Sequence, residues 1–304
     1  MVSDDSGGAG LYTLSVVGKT KSGDEITGKN SVIVASKTHK HGVTITESNG
    51  TITIKIGNAT NAVTDEVLIT IPEGLWSKDI AKKIEEVTNV TAQECLDLWN
   101  NKEFLNRMIQ KYDFLDESIF NSEYHVALEG YLYPNSYYIF KDTTAEEVTV
   151  RLLDGFDSIY QSIKKDIDAS KYSIHELVTF ASVVQFESGK AEEMPIIASV
   201  FHNRFETGMR MESSVTVCYA LYDKFNDFMD CESNPKIDSP YNTYLNAGLP
   251  IGPVNNPGID ALNSVLHPAK TDYFYFIADV YGDSKLIPAK TYEEHLKNVQ
   301  QYLQ

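Results

Sequence analysis

A chain of 304 residues, 42% hydrophobic and 11% aromatic, holds enough apolar material for two or three packed domains, which excludes a disordered protein. Its formal charge of −17, with Lys and Arg scattered rather than clustered, leaves no basic stripe and argues for no nucleic-acid partner. Cys95, Cys218 and Cys231 lack metal-ligand spacing, so no metal is expected, and their odd number and wide spacing favour free, mostly buried thiols over a Cys218–Cys231 pair.

The opening Met1-Val-Ser-Asp-Asp-Ser-Gly-Gly-Ala-Gly10 reads as a flexible leader without a signal-peptide pattern. No run of about 18 apolar residues follows it, so a membrane anchor is expected in a segment absent from this chain. From Leu11 to about Asp65, short alternating runs such as Tyr12–Val17, Ser31–Val34, Val43–Thr46 and Thr51–Ile56 are divided by Ser-Gly, Asn-Gly and Gly-Asn turn signals. That is the pattern of a small antiparallel β module, with its clearest hairpin at Glu47-Ser-Asn-Gly-Thr51. It carries no catalytic constellation, and a spacer or platform role is expected.

Val67-Leu-Ile-Thr-Ile-Pro-Glu-Gly74 gives a strand and a turn, followed by an amphipathic helix over Ser77–Val87. A second helix should begin near Thr91, where Thr91 and Glu94 have the spacing of a capping box. Glu129-Gly-Tyr-Leu-Tyr-Pro-Asn-Ser-Tyr-Tyr-Ile139 is dense in aromatic residues, suited either to stacking on a sugar ring or to packing. Thr144 and Glu147 then cap a helix running through Leu152, Leu153, Phe156 and Ile159.

The stretch Ser173–Gly189 reads as one core helix, with a Ser173/Glu176 capping box at its start and Gly189 as its stop. Ile174, Leu177, Val178, Ala181 and Val184 form one apolar row and Phe180 with Val183 a second, so most of the circumference is hydrophobic. Glu187 continues the second row into the last turn. Desolvation and the negative end of the helix dipole should both raise its pKa, as a general acid requires. Read on this helix alone, Glu187 is equally a surface glutamate at a frayed end.

Pro195 marks the first turn of the next helix, whose stripe Ile196, Ile197, Val200, Phe201 and Phe205 ends at Gly208. Beyond Met209–Tyr219 and an acidic insertion, Gly248-Leu-Pro-Ile-Gly-Pro-Val-Asn-Asn-Pro-Gly258 is too rich in Gly and Pro for regular structure and is expected to be a functional loop. A strand within Tyr273–Asp279 and a helix from Thr291, with Glu294 completing its capping box, close the chain.

Taken together, residues 67–304 resemble the YceG-like family, the endolytic murein transglycosylases called MltG. The resemblance rests on Ile71-Pro-Glu-Gly74, Glu129-Gly-Tyr-Leu-Tyr-Pro134, Ala181-Ser-Val-Val-Gln-Phe-Glu-Ser188, Ala198-Ser-Val-Phe-His-Asn-Arg204, Gly208-Met209, Tyr241-Asn-Thr-Tyr244, Gly248-Leu-Pro250, Pro257-Gly258, His267-Pro-Ala-Lys270 and Tyr275-Phe276. In that family the acid-bearing helix reads Ala-Ser-(Ile/Val)-Val-Glu-Lys-Glu-Thr, and the second glutamate aligns with Glu187. The first aligns with Gln185, a departure. Two further departures are Ser214-Val215, where Asp-Pro is common, and Gly282-Asp-Ser-Lys285, where a Gly-Gly-His segment stands before the last helix.

The expected fold is α+β: the N-terminal small β module with its leader over 1–65, a subdomain over 66–125 whose strand, Pro-x-Gly turn and two short helices resemble LysM, and, as the family resemblance implies, a lysozyme-like mixed helical catalytic domain over 126–304. The resemblance implies an endolytic lytic transglycosylase that cuts the MurNAc–GlcNAc bond of nascent glycan strands, leaving 1,6-anhydroMurNAc ends, with Glu187 as acid and then base and no cofactor. Glu129, Tyr133, Ser188, Ser214, Thr216, Tyr241, Asn242, Thr243 and Tyr244 are the expected substrate-binding residues. Tyr241, Asn242 and Thr243 have the alternative of satisfying their own turn's backbone. The competing classes are a two-carboxylate muramidase using a partner such as Glu129, and a non-catalytic peptidoglycan-binding scaffold. Expected partners are glycan strands, penicillin-binding proteins and other wall-synthesis proteins. The expected place is the extracytoplasmic side of a bacterial cell membrane, held by a single-pass anchor.

Overall fold

Alternating runs near the N-terminus form four strands in two antiparallel pairs: β1 (Gly10–Lys19) with β2 (Glu25–Val34), and β3 (Val43–Ser48) with β4 (Thr51–Ile56). Ser48 stands opposite Thr51, the register of a hairpin at the Asn-Gly signal, although Asn49 and Gly50 lie outside the described residues. The computed structural model describes residues 10–19, 25–34, 43–48, 51–56, 66–279 and 281–303, in two units, Met1–Thr64 and Asp65–Gln304.

The second unit begins with β5 (Glu66–Thr70), the helices α1 (Ser77–Val87), α2 (Ala92–Trp99) and α3 (Lys102–Lys111), and then β6 (Ser136–Phe140). β6 returns to pair antiparallel with β5, Thr70 opposite Ser136. Its two-residue period sorts the aromatic-rich segment, turning Tyr137 and Ile139 inward while Tyr138 stays 64% exposed. Tyr131 and Tyr133 are buried as well, so these tyrosines are mostly packing.

Four helices start on the Ser/Thr-to-Glu spacing: α2, α4 (Ala145–Ala169), α5 (Ile174–Glu187) and, after α6 (Met194–Glu206), α7 (Ser214–Leu221), α8 (Phe228–Ser233), α9 (Ile259–Leu266) and the β7 (Tyr275–Ala278)–β8 (Leu286–Ala289) hairpin, α10 (Tyr292–Tyr302). In each, the cap hydroxyl accepts from the third helical amide and the glutamate accepts from the cap amide. A cap is worth about 1 kcal/mol. Burial of Leu177, Val178, Phe180, Val183 and Val184 contributes more, at about 1.5–3 kcal/mol per side chain, and sets α5 in the core against α6, α7 and α9.

Several elements differ from expectation. α5 does not stop on a left-handed glycine at 189; Ser188 leaves the helix in extended backbone, φ −150° and ψ 135°. Gly208 is left-handed, φ 75°, and does end α6 as its sequence suggests. α7, a stretch for which no element was expected, arises from Ser-Val-Thr-Val-Cys-Tyr-Ala-Leu, where buried contacts override the weak helix propensity of its β-branched residues. Cys218 and Cys231 are not free thiols: α7 and α8 fold back on each other, bring the two Cα atoms to 4.8 Å and join them in a disulfide. Spacing along the chain could not show that approach. Cys95 is free and buried.

The Gly- and Pro-rich loop is interior over its second half. Val254 N donates to Ser182 Oγ (3.0 Å), Asn255 Nδ2 to Ser182 O (2.7 Å) and Gly258 N to Gln185 Oε1 (2.9 Å), so this strap is sewn to the middle of α5. Asn256 Oδ1 accepts from Gly130 N and Leu132 N, linking the strap to the 129–134 segment. Gly130 has φ 92°, and a Cβ there would lie 2.6 Å from Val178 Cγ1, so both its conformation and its fit against α5 require glycine.

Candidate active site

Glu187 sits where α5 leaves the core. The residue as a whole is half-buried, and its Oε1 accepts a hydrogen bond from Ser213 Oγ at 2.6 Å. Ser213 is itself buried at the N-cap of α7, so its hydroxyl is aimed rather than free to rotate among waters. Thr216 and Thr243 do the aiming. Thr216 Oγ1 donates to Ser213 O (2.7 Å), which leaves the Thr243 hydroxyl to donate to Thr216 Oγ1 (2.9 Å), while Thr243 Oγ1 accepts from Ser213 N (3.1 Å). Glu212, the preceding residue, is held at φ 53°, a conformation that a non-glycine residue keeps only when its surroundings enforce it.

Burial pushes the Glu187 pKa above the ordinary carboxylate range, and the negative charge of Glu232 adds to this. The Ser213 bond and the Arg204 guanidinium act in the opposite direction without cancelling it. Arg204 is buried, donates from Nε to Phe274 O (2.7 Å) and from Nη1 to Met211 O, and so ties the lead-in of α7 to the lead-in of β7. Its neighbour Asn203 donates to the carbonyls of Thr271 (3.0 Å) and Tyr273 (2.8 Å). The His202-Asn-Arg204 motif is therefore the fastening of the β7–β8 hairpin.

Glu187 lines a cavity of about 630 Å³ between the end of α5 and that hairpin. Ser188 lines the same cavity, but its hydroxyl donates to Glu193 Oε2 (2.8 Å) and accepts from Lys190 N (3.0 Å). Tyr244 belongs to this neighbourhood electrostatically: burial first, then the charges of Glu232, Glu187 and Glu212, push its phenol up to about 12. Ser214 is half-buried beside Ser213.

The other expected residues sit in separate networks. Asn242 is fully buried, with Nδ2 donating to the carbonyls of Pro235 (3.0 Å) and Ile237 (2.8 Å) and Oδ1 accepting from Tyr244 N (2.9 Å); it fastens its own turn. Tyr241 is buried, its ring stacked on His125 and edge-on to Tyr219. Tyr133 is buried and its pKa is raised to about 12 by burial and then by Glu73. Glu129 caps α1: both oxygens accept from Ser77 N (3.0 and 3.2 Å), Tyr219 OH donates to Oε2 (2.8 Å) and Asn256 Nδ2 to Oε1 (2.8 Å). Gln185 turns away from the cavity, bonded to Gly258 N and to the Glu73 side chain.

Ser213 and Arg204 are the residues that sequence reasoning passed over. Arg204 stood in a quoted motif without a role. Ser213 adjoins Ser214, and adjacent serines cannot be told apart before the start of α7 is known.

Comparison with known proteins adds an independent line. The chain matches the YceG-like family over residues 38–301. It is 34% identical over 240 residues to the endolytic murein transglycosylase of Bacillus subtilis (strain 168), covering 77% of this chain and 65% of the relative. It is likewise 34% identical over 245 residues to the endolytic murein transglycosylase of Streptococcus pneumoniae serotype 2 (strain D39), covering 77% and 44%. The chain thus spans less than two thirds of the length of these curated relatives. Among solved structures, a YceG-like protein from Listeria monocytogenes matches with a TM-score of 0.70 at 33% identity, over 76% of this chain and 75% of that one.

Proposed function

The chain belongs to the YceG-like family, and on that premise we propose that it is an endolytic lytic transglycosylase of peptidoglycan in which Glu187 alone serves as acid and then base. The observation that carries this reading is the contrast in surroundings: Glu187 lines a cavity and has one oxygen held by Ser213, whereas both oxygens of Glu129 are occupied by protein donors.

The raised pKa of Glu187 favours the protonated carboxyl that the first step uses. Ser213 holds Oε1, so the proton resides on Oε2, which transfers it to the glycosidic oxygen between MurNAc and GlcNAc. As the bond from muramyl C1 to that oxygen breaks, the Glu187 carboxylate formed is stabilised by the Ser213 hydroxyl and by Arg204. It then accepts the proton of the muramyl C6 hydroxyl, whose oxygen bonds to C1. The products are a GlcNAc end with a free hydroxyl and a 1,6-anhydroMurNAc end, with Glu187 protonated again and no water consumed. A hydrolase would require a second available carboxyl.

The finer architecture is part of the same proposal. A LysM-like subdomain is supported by the order β5, α1, α2 and by the closure of β5 with β6, which would carry it past residue 125 to residue 140. The helical remainder around α5 is the lysozyme-like part. The extracytoplasmic side of a bacterial membrane is supported by the Cys218–Cys231 disulfide, which suits an oxidising compartment. No helix among the described residues is long and apolar enough to cross a membrane, and the single-pass anchor is part of the proposal. Glycan strands are the proposed ligand, and penicillin-binding proteins and other wall-synthesis proteins the proposed partners.

Mass spectrometry of uncrosslinked glycan strands after digestion tests the reaction. Fragments with 1,6-anhydromuramyl ends, lighter by one water than a lysozyme product, are expected, with internal cuts dominating. Reducing ends as the main product would overturn the transglycosylase reading in favour of the two-carboxylate hydrolase.

A further inference from the structure

A second cavity, of about 580 Å³, lies between the C-terminal half of α6 and the 268–272 loop that leads to β7. Its loop wall is fixed to the helix. Ala269 N donates to Pro195 O (2.9 Å), the Ser199 and Thr271 hydroxyls pair (2.7 Å), and Asn203 Nδ2 holds the carbonyls of Thr271 and Tyr273. On the helix wall both ring nitrogens of His202 are committed, Nε2 donating to Val265 O (3.2 Å) and Nδ1 accepting from Tyr172 OH (3.2 Å). Asp272 is committed as well, paired with Lys290 at 2.8 Å. Two charges remain. Glu206 on α6 and Lys270 on the loop line the cavity, are exposed, and have no ion pair or side-chain hydrogen bond among the described residues.

A cleft held open by its own hydrogen bonds, with one anion and one cation left unpaired on its two walls, suits a ligand that carries both charges. The sugar backbone of peptidoglycan offers these groups nothing, since its hydroxyls and N-acetyl groups are uncharged. Its short peptides do, with free carboxylates and, before crosslinking, an ammonium. We propose that the cavity between α6 and the 268–272 loop is a binding site for the stem peptide of the strand, with Lys270 taking a carboxylate and Glu206 the ammonium. This rests on the glycan-cleavage reading above, and it makes the substrate a peptide-bearing strand rather than a bare glycan. The spacing along α6 permits it. Ser199 of this cavity lies six positions from Glu193 of the Glu187 cavity, about 9 Å of helix, and an extended peptide of three residues spans roughly 10 Å. The two cavities also share one fastening: Asn203 holds the loop of the peptide site, while its neighbour Arg204, whose charge acts on Glu187, holds Phe274 O.

The experiment compares uncrosslinked strands with the same strands stripped of peptide by an amidase, for the parent, Lys270→Gln and Glu206→Gln proteins. It also titrates a free tripeptide bearing carboxylates and a side-chain ammonium against each protein. The parent is expected to cut peptide-bearing strands with a KM at least about threefold below that for stripped strands, and this ratio is expected to fall towards one in both variants. The tripeptide is expected to shift the amide NMR signals of the 268–272 loop and to bind each variant at least about threefold more weakly than the parent. Acetylating its ammonium should weaken binding to the parent and leave binding to Glu206→Gln unchanged. Loss of fold does not confound these readings, because both side chains are exposed and unpaired, and the thermal midpoints should match the parent. Equal KM values of the parent for intact and stripped strands, or tripeptide binding indifferent to both substitutions, would overturn the site. A parent that cuts neither kind of strand, yet binds the tripeptide through Lys270 and Glu206, would overturn the reaction and support the site.

Discussion

Glu129 and Glu187 are two carboxyls whose pKa is raised by burial, and they differ in how many protein donors hold them; the proposed acid is the less encumbered one. Burial lifts Glu129 to about 7 against the bonds from Tyr219 and Ser77, yet this carboxyl is 2% exposed and satisfied by a helix N-terminus, a phenol and an amide. Glu187 makes one protein hydrogen bond through Oε1 and borders a cavity. The lesson is that a perturbed carboxyl marks a low-dielectric site, while access and spare hydrogen-bonding capacity separate an acid from a cap.

The largest expected effect is that of Glu187→Gln. It keeps the volume and the acceptor for Ser213 but has no acidic proton, so strand cleavage should fall by the roughly 10²–10⁴-fold that a general acid supplies, or below detection. Circular dichroism and the thermal midpoint should match the parent. A Glu187→Gln protein that still cuts would remove the distinction between the two carboxyls.

Glu129→Ala should do the reverse in kind. It strands the Ser77 amide and the Tyr219 hydroxyl in the interior, at about 1–3 kcal/mol for each buried group left unsatisfied, removes one of the bonds of the Asn256 amide, and should lower the denaturant midpoint sharply. The pH dependence sharpens this. The folded pKa of Glu129 lies above the ordinary value of 4.5, so its contribution to stability is present below pH 4.5 and is lost as pH rises towards about 7. Stability measured by urea titration across that window should fall in the Glu187→Gln protein and lose this component in Glu129→Gln.

Ser213→Ala should have a smaller effect, on rate rather than on fold. A hydrogen bond to a charged group is worth about 1.5–3 kcal/mol, so a loss of about tenfold or more in kcat is expected. Because this bond lowers the Glu187 pKa, its removal should move the alkaline limb of the pH–rate profile to higher pH. Gln185→Glu should be the mildest, changing kcat/KM by less than about tenfold, or ~1.4 kcal/mol, since the side chain at 185 faces Gly258 and Glu73. A Gln185→Glu protein active where the parent is inert would transfer the acid role from Glu187 to position 185.

Much of this molecule was legible without coordinates, and the legible part is local. A capping box needs only a hydroxyl and a carboxylate three residues apart, so Thr91/Glu94, Thr144/Glu147, Ser173/Glu176 and Thr291/Glu294 announced helix starts that the fold uses. The apolar rows of α5 announced a core helix and, by continuing to Glu187, a carboxyl where that helix emerges. The motifs from Ile71 to Phe276 pointed to the family that the comparisons then showed.

What the chain's pattern did not decide depends on residues far apart in sequence. Ser213 meets Glu187 across 26 positions and Tyr219 meets Glu129 across 90, and neither pairing has a local signature. The same holds for the Cys218–Cys231 bond, which needed the turn between α7 and α8, and for the 254–258 strap, whose polar backbone is tolerable inside because Ser182, Gln185 and the backbone of Gly74 and Leu75 complete its hydrogen bonds. Sequence determined which groups had the chemistry to be acids, caps and donors. Tertiary packing decided which carboxyl was enclosed by donors and which was left with a single protein donor beside a cavity, because desolvation and hydrogen-bond satisfaction are properties of the assembled surroundings and not of the residue.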